Sequence, residues 1–288
     1  MKKRKKIFLG LLIVFVVALA SLLIANLILS AQEEKSPISI INYPEEVTTK
    51  CLEKGKTCTL EEIIQGIAVS VAVNDKKIEN FYVISNDENT MTLLSENNII
   101  EDAIWYHQPG NFFGPNSLII NLSNATHNWT NIDVIQNYKY EDSGYQRFRD
   151  ICITKTTKVE GYDCDSLDLG AGYSKLVIEN GNVNVYTEYD SYFPFEGEKV
   201  RVRTITKEEV EYLINNAQKP IAWLSISKPF WTLTSAVDKV NGYITKAYVV
   251  QNTEFHPSAV ALFPYKVNTE KGIGIRAVIT IPKVEDSK

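Results

Sequence analysis

Cysteine is the residue type whose number and spacing most directly suggest chemistry in this chain. The four cysteines form two sequence-local pairs, Cys51 with Cys58 and Cys152 with Cys164. Neither spacing matches the CxxC-like pattern of structural zinc sites, and no histidine stands near either pair to activate a thiol. An even number of cysteines in an oxidising compartment favours disulfides. The sequence therefore predicts two structural bridges, Cys51–Cys58 and Cys152–Cys164.

Other patterns that could bind a metal or catalyse a reaction are weak. The three histidines, His107, His127 and His256, are too far apart for a local H-x-x-x-H ligand set. Gln108-Pro109-Gly110, followed by Asn131 and Asp133, offers oxygen ligands for calcium, but Gly110 supplies no carboxylate. No G-x-S-x-G motif places a nucleophile in a hydrolase context. We therefore predict no catalytic residues, no metal and no cofactor.

Aromatic residues are the remaining candidates for function. Tyr189, Tyr192, Phe193 and Phe195 crowd one segment that also contains Pro194. On a loop, such rings stack on sugars or anchor a protein partner. In the alternative interpretation the same rings close the core beneath a long loop, and the sequence leaves both open. The four rings are our candidate ligand-binding residues.

The uncharged run from Ile7 to Ala31 decides where the chain works. As a helix it would be about 37 Å long, enough to cross a hydrocarbon layer of roughly 30 Å. Five basic residues, Lys2 to Lys6, precede the run, and Glu33 and Glu34 follow it. Because positive charge stays on the cytoplasmic side, the sequence predicts a single-pass anchor with the C-terminal domain outside the cell membrane.

A cleaved signal peptide is the alternative interpretation of this run. Its apolar region would be shorter, and its cleavage site would have a small-x-small pattern, whereas Leu29-Ser30-Ala31 begins with a large residue. We therefore expect four parts: a cytoplasmic tip (1–6), a transmembrane helix (7–31), an extended stalk with two X-Pro steps (32–50), and an ectodomain (51–288).

The charge of the chain bears on its partners. The formal charge is −5, and removing the five basic residues of the cytoplasmic tip leaves −10 for the remainder. An acidic exterior repels phosphate backbones. We therefore exclude nucleic acid as a partner, and we expect the membrane and an extracellular glycan or protein ligand instead.

Local patterns predict an α+β ectodomain with two or three short helices. Thr59 with Glu62 and Thr206 with Glu209 form capping boxes at two helix starts, and helical spacing predicts a third helix over 115–125. Strand patterns flank two turns, 86–89 and Asn180-Gly181-Asn182. Further strands are predicted over 67–73, 199–203, 230–234, 248–250 and 273–281, with a loop over 138–144. Trp129, Trp223 and Trp231 lie in apolar contexts that predict burial.

The order of five short motifs resembles a known group of proteins. The motifs are the hairpin from Phe81 to Leu94, Trp129-Thr130-Asn131, Arg203-Thr204-Ile205-Thr206-Lys207-Glu208-Glu209, Phe230-Trp231-Thr232-Leu233-Thr234-Ser235 and Gly274-Ile275-Arg276-Ala277-Val278-Ile279. This order resembles Firmicutes-type bacterial surface proteins, membrane-anchored, with a C-type-lectin-like domain distantly related to sulfatase-modifying factors. The resemblance covers roughly residues 51 to 283. The sequence departs from that pattern at Leu233. It also departs at Ala277, where proline is usual.

What the resemblance implies is a fold and a location. It implies a mixed, mainly antiparallel C-type-lectin-like ectodomain at the cell surface. The paired late cysteines of the sulfatase-modifying enzymes have no counterpart after Cys164. We therefore expect a surface binding or interaction module, and the alternative is an extracytoplasmic enzyme that acts on glycans or sulfated substrates.

Overall fold

A computed structural model describes residues 38–40, 52–105, 115–141, 175–186, 199–224, 228–236, 246–253, 260–266 and 271–284. All of these belong to one compact unit, 38–288. Within the described residues, no helix has the length and apolarity needed to span a membrane. The cytoplasmic tip and the predicted transmembrane helix, 7–31, lie outside them.

The described part is an α+β fold rich in strands, and every ladder between its strands is antiparallel. The largest sheet has five strands in the order β1-β2-β3-β4-β11. These strands are β1 (Ile38–Ile40), β2 (Ala68–Asn74), β3 (Lys77–Asn86), β4 (Thr90–Ser95) and β11 (Val278–Pro282). This sheet therefore joins residues from both ends of the described chain.

Two three-stranded sheets accompany the first. One has the order β5-β6-β7, with β5 (Tyr138–Glu141), β6 (Lys175–Glu179) and β7 (Asn182–Tyr186). The other has the order β10-β9-β8, with β8 (Phe230–Ala236), β9 (Lys246–Asn252) and β10 (Val260–Lys266). All seven residues of β8 are buried, which places this strand in the centre of the core.

Three described helices lie between the strands, and local sequence sets their ends. They are α1 (Leu60–Gln65), α2 (Asn116–Thr126) and α3 (Lys207–Asn216). Thr59 and Glu62 at α1, and Thr206 and Glu209 at α3, form complete capping boxes. These side chains bond backbone N–H groups that have no partner within the helix. Gly66, with φ 98°, ends α1. The three predicted helices are confirmed.

Most predicted strands are also confirmed. The turn 86–89 joins β3 to β4, and Asn180 and Gly181 join β6 to β7 with φ values of 51° and 76°. Two successive positive φ values are typical of a type I′ hairpin turn. The predicted tryptophans are buried, since Trp129, Trp223 and Trp231 are 0%, 7% and 0% exposed.

Three local predictions are wrong. The segment 199–203 forms no regular strand, because Lys199 bridges to Asn182 whereas Arg203 bridges to Val278, and the segment therefore passes from one sheet to another. The predicted loop 138–144 begins with β5, whose partner β6 is distant in sequence. Within the predicted stalk, Ile38–Ile40 form β1 and pair with β2. The Ile-Ser-Ile alternation suits an edge strand.

Candidate functional site

Arg276 is the most unusual polar residue of the described core. It lies just before β11, beside Ile275, which bridges to Ile100. Its guanidinium is 5.0 Å from the ring of Phe230 in β8, and its Nε–H donates to the carbonyl oxygen of Ser95 at the end of β4. Arg276 therefore sits where β4, β8 and the segment before β11 meet.

Most of the donors of this guanidinium have no acceptor in the part of the chain that the structure describes. Arg276 is only 1% exposed, and neither Nη1 nor Nη2 has a hydrogen-bond partner there. A guanidinium has five N–H donors, so four of them are unused. Burial of an unpaired charge costs several kcal/mol. The side chain is thus a buried cation that the surrounding protein leaves mostly unsatisfied.

Burial also changes how readily Arg276 carries its proton. Desolvation lowers the pKa of Arg276 to about 9, while the charges of Tyr82 and Glu96 act in the opposite direction. The group is still protonated at neutral pH. Because Tyr82 and Glu96 are close enough to act on Arg276, we treat Tyr82, Glu96 and Arg276 as one group, the Arg276 cluster.

Asn98, which lies against Gly274, is a second described residue with an unused buried polar atom. Its Oδ1 is buried without a partner, whereas its Nδ2 donates to the carbonyl oxygen of Pro229 over 3.4 Å. Gly274 makes room for this side chain, because a Cβ atom at Gly274 would lie 2.1 Å from Asn98 Nδ2. The described core thus contains unused donors, on Arg276, and an unused acceptor, on Asn98.

The remaining members connect the cluster to the surface of the first sheet. Tyr82 Oη lies 3.4 Å from Glu96 Oε1, and Asn80 Nδ2 donates to Glu96 Oε2 over 3.0 Å. The ring of Tyr82 stacks on Trp223 with a centroid distance of 4.9 Å. Trp223 is held in turn by a hydrogen bond from Nε1 to the carbonyl oxygen of Ile64. These contacts fix the orientation of the Glu96 carboxylate.

A second candidate is a small cavity between α2, β6 and β8. Its wall is apolar except for Arg203 and Thr204, and the other lining residues are Ile119, Leu122, Ile178, Val200, Val202 and Leu233. Arg203 is already paired, because its two terminal nitrogens both donate to the Glu209 carboxylate. Its guanidinium also lies 4.9 Å from the ring of Tyr138, and burial raises the pKa of Tyr138 to about 12. This cavity therefore presents no unsatisfied charge.

The residues that sequence reasoning chose as candidates mostly fall elsewhere. Tyr189, Tyr192, Phe193 and Phe195 lie outside the described residues, as do Cys51, Cys152 and Cys164. Cys58 is disulfide-bonded. Its pairing with Cys51 stays a prediction.

The weak calcium pattern takes on another role where it is described. The Asn131 side chain donates to the carbonyl oxygen of Ala72 over 3.0 Å. This hydrogen bond connects the segment that follows α2 to β2. Among the described residues, no three His, Cys, Asp or Glu side chains are grouped to hold a metal. His107, His256 and Gln108-Pro109-Gly110 lie outside the described part of the chain.

Sequence reasoning missed the Arg276 cluster. The available signal was a single arginine inside the apolar run from Ile273 to Ile281, since arginine is rarely buried without a partner.

Comparisons with protein-family models, with curated proteins and with solved structures gave no match to this chain.

Proposed function

We propose that this chain is a membrane-anchored surface binding module whose ectodomain, 51–288, has a C-type-lectin-like fold and uses the Arg276 cluster to hold a polar ligand. The observation that carries the proposal is the buried guanidinium, whose two terminal nitrogens have no acceptor among the described residues. A ligand carboxylate or hydroxyl would supply the missing acceptors, and the planar fork of arginine suits a two-oxygen acceptor.

The composition of the cluster favours binding over catalysis. Glu96 is engaged by Tyr82 and Asn80, and the nearest serine, Ser95, uses its hydroxyl to bond the carbonyl oxygen of Asn97. Apart from Tyr82, whose hydroxyl lies 3.4 Å from Glu96 Oε1, no described serine, threonine or cysteine side chain of this cluster is hydrogen-bonded to a base, the arrangement that covalent catalysis by those residues needs.

The location rests on the sequence and is consistent with the disulfide at Cys58. The basic tip and the uncharged run from Ile7 to Ala31 place the N-terminus in the cytoplasm and the C-terminal domain outside the cell membrane. A disulfide persists in an oxidising compartment. The partners of the module are then the membrane and an extracellular glycan or protein.

A glycan and protein array probed with the full chain in detergent tests the binding function. Arg276→Lys keeps the positive charge but loses the planar fork, and hydrogen bonds to charged groups contribute about 1.5–3 kcal/mol. We therefore expect affinity for any ligand of the cluster to fall by about 10- to 100-fold.

Lys228→Gln is the matched control, because Lys228 pairs with Glu101 at the surface. It should bind like the wild type. A folded Arg276→Lys variant that also binds like the wild type would move the ligand site away from the cluster, and the loop aromatics Tyr189, Tyr192, Phe193 and Phe195 would be tested next.

Protease treatment of intact cells tests the anchor. We expect cleavage of the exterior domain and a short fragment retained in the membrane, because only residues 1–31 are predicted to lie in the cytoplasm or the bilayer. A mature chain released into the medium with its N-terminus near Gln32 would show a cleaved signal peptide instead.

A further inference from the structure

Lys283 is a buried lysine whose amine lies against the side-chain amide of Asn86. The residue is 5% exposed, and its Nζ is 3.0 Å from Asn86 Oδ1 and 2.5 Å from the carbonyl oxygen of Lys56. Its backbone is fixed as well, since the N–H of Lys283 donates to the carbonyl oxygen of Asn89. Lys283, which directly follows β11, therefore places its amine at the end of β3.

The surroundings of this amine are unusual for lysine. Lysine is almost never buried unless it is paired with an opposite charge, and none of the described carboxylates forms an ion pair with Lys283. Burial lowers the pKa of Lys283, while the more distant charges of Asp87 and Glu88 act to raise it. Two neutral oxygens thus hold an amine whose charged form is disfavoured by its environment.

The amide of Asn86 is held on its other side by Cys58. The N–H of Cys58 donates to Asn86 Oδ1 over 2.9 Å, and Asn86 Nδ2 donates to the carbonyl oxygen of Cys58 over 3.3 Å. Asn86 Oδ1 therefore accepts hydrogen bonds from both Cys58 and Lys283. The N–H of Cys58, which is aimed at this oxygen, would stabilise the negative charge that develops there if the Lys283 amine attacked the amide carbon.

Neighbouring backbone contacts keep these groups in position. Lys54 and Leu52 exchange hydrogen bonds with Val284, and the N–H of Gly55 donates to the carbonyl oxygen of Glu88 over 2.7 Å. The segment that carries Cys58 is thereby fastened both to the residues after β11 and to the turn after β3. Such fixed geometry is what raises the rate of an intramolecular reaction.

We propose that Lys283 and Asn86 join in an intramolecular amide bond. The deprotonated Nζ attacks Asn86 Cγ, a bond between Nζ and Cγ forms, and the bond between Cγ and Nδ2 breaks. The leaving nitrogen takes up the proton that Nζ gives up and departs as ammonia, so no oxidant or reductant is needed. Glu88, whose charge acts on the Lys283 amine, is a described carboxylate that can carry the proton.

The product loses the hydrogen bond from Asn86 Nδ2 to the carbonyl oxygen of Cys58, keeps two other contacts of the reactants and removes a buried charge. The oxygen of the new amide stays with the N–H of Cys58, and its N–H stays with the carbonyl oxygen of Lys56. The bond links positions 197 residues apart and ties β3 to the end of β11 across β4. A cross-link between such distant positions restricts the unfolded chain strongly. This inference does not depend on the proposed binding function.

Intact mass spectrometry of the purified, reduced full-length chain tests the bond. We expect a mass lower than that of the sequence by one ammonia, and a branched proteolytic peptide that contains both Lys283 and Asn86. Lys283→Arg and Asn86→Ala should each restore the mass of their own sequence. Lys77→Arg, at a lysine outside this site whose side chain pairs with Glu79, should keep the loss.

Two further variants keep the test decisive. Succinimide formation at Asn86-Asp87 also releases ammonia, but it would persist in Lys283→Arg and would give no branched peptide. Asn86→Asp should form the same bond with loss of water. The proposal fails if folded wild-type protein, incubated at alkaline pH to deprotonate the amine, retains the mass of its sequence and yields Lys283 and Asn86 in separate linear peptides.

Discussion

At the scale of single residues, Asp87 shows how one side chain fixes a turn. Its Oδ1 accepts hydrogen bonds from the backbone N–H groups of Asn89 and Thr90, both over 2.7 Å, and its Oδ2 accepts one from the Thr90 hydroxyl over 2.8 Å. The hydrogen bond from Asn89 is the main reason that the pKa of Asp87 lies below its ordinary value of 3.8. The ionised carboxylate therefore stabilises the turn between β3 and β4.

The first prediction is that Asp87→Asn lowers the free energy of unfolding by about 1 kcal/mol at neutral pH, the usual net value of such hydrogen bonds. Because the pKa of Asp87 in the folded protein lies below 3.8, ionisation of Asp87 stabilises the fold at pH values above 3.8. This stabilisation is lost as the pH falls through the folded-state pKa. Urea unfolding from pH 7 down to pH 3 measures the difference in free energy of unfolding between the wild type and Asp87→Asn. This difference should shrink below pH 3.8. A constant difference across this range would contradict the role of the charge.

Asp133→Asn is the matched control for this experiment, since Asp133 is an exposed carboxylate in a different loop. We expect it to change stability by less than about 0.5 kcal/mol.

Arg276 marks the limit of sequence reasoning at this scale. Its apolar neighbours indicate a buried strand, but which residues face its guanidinium depends on β4 and β8, which are distant in sequence. Turn residues such as Asp87 and Asn180 act on their own backbone and are visible locally. A buried charge is defined by contacts that no local pattern records.

At the scale of elements, the two capping boxes look alike in sequence but differ in their surroundings. Glu62 closes the exposed box of α1. Glu209 closes the box of α3 and also accepts two hydrogen bonds from Arg203, whose side chain is only 12% exposed. Loss of the Glu209 charge would leave a nearly buried guanidinium without its counter-ion.

The second prediction compares Glu209→Gln with Glu62→Gln. Glutamine still serves a capping box, so we expect Glu62→Gln to change the free energy of unfolding by less than about 0.5 kcal/mol. Glu209→Gln should cost about 2 kcal/mol or more, because a buried charge loses its partner. Chemical unfolding of the two variants under the same conditions measures the difference. Equal losses would show that the ion pair with Arg203 adds nothing to the cap.

Elements defined by local chemistry were predictable, whereas those defined by a distant partner were not. Capping side chains predicted α1 and α3, and the Asn180-Gly181 turn predicted the hairpin of β6 and β7. The strand character of Tyr138–Glu141 was missed because it depends on pairing with β6 across a long stretch of chain. The predicted strand 199–203 failed for a related reason, since its two ends bridge to different sheets.

At the scale of the whole molecule, two buried tryptophans join segments that are far apart in sequence. Trp105 Nε1 donates to the carbonyl oxygen of Thr232 over 2.8 Å, and Trp231 Nε1 donates to the carbonyl oxygen of Ala103 over 2.7 Å. Both residues are 0% exposed. Trp105 thus bonds the backbone of the segment that carries Trp231, and Trp231 bonds the backbone of the segment that carries Trp105. Together they connect the chain after β4 to the central strand β8.

A third buried tryptophan provides a comparison within the same core. Trp129 is also 0% exposed, and its ring packs edge-on against Phe81 at a centroid distance of 6.1 Å. Its Nε1, however, has no hydrogen-bond partner among the described residues. Trp129 therefore contributes ring contacts, which include the Lys77 ammonium at 5.9 Å, but no indole hydrogen bond, whereas Trp105 and Trp231 contribute packing and a buried hydrogen bond each.

The last prediction separates these two contributions by replacing each tryptophan with phenylalanine. Trp105→Phe and Trp231→Phe should each lower the free energy of unfolding by about 2–4 kcal/mol, because a buried carbonyl loses its donor and a small cavity forms. Trp129→Phe should cost about 1 kcal/mol less than either, because it removes an N–H that has no partner.

In the double variant, the losses at Trp105 and Trp231 should deviate from additivity by at least about 0.5 kcal/mol, since the two rings join the same pair of segments. Urea unfolding of the four variants measures these differences, and an equal cost for all three single substitutions would mean that the two indole hydrogen bonds do not hold the segments together.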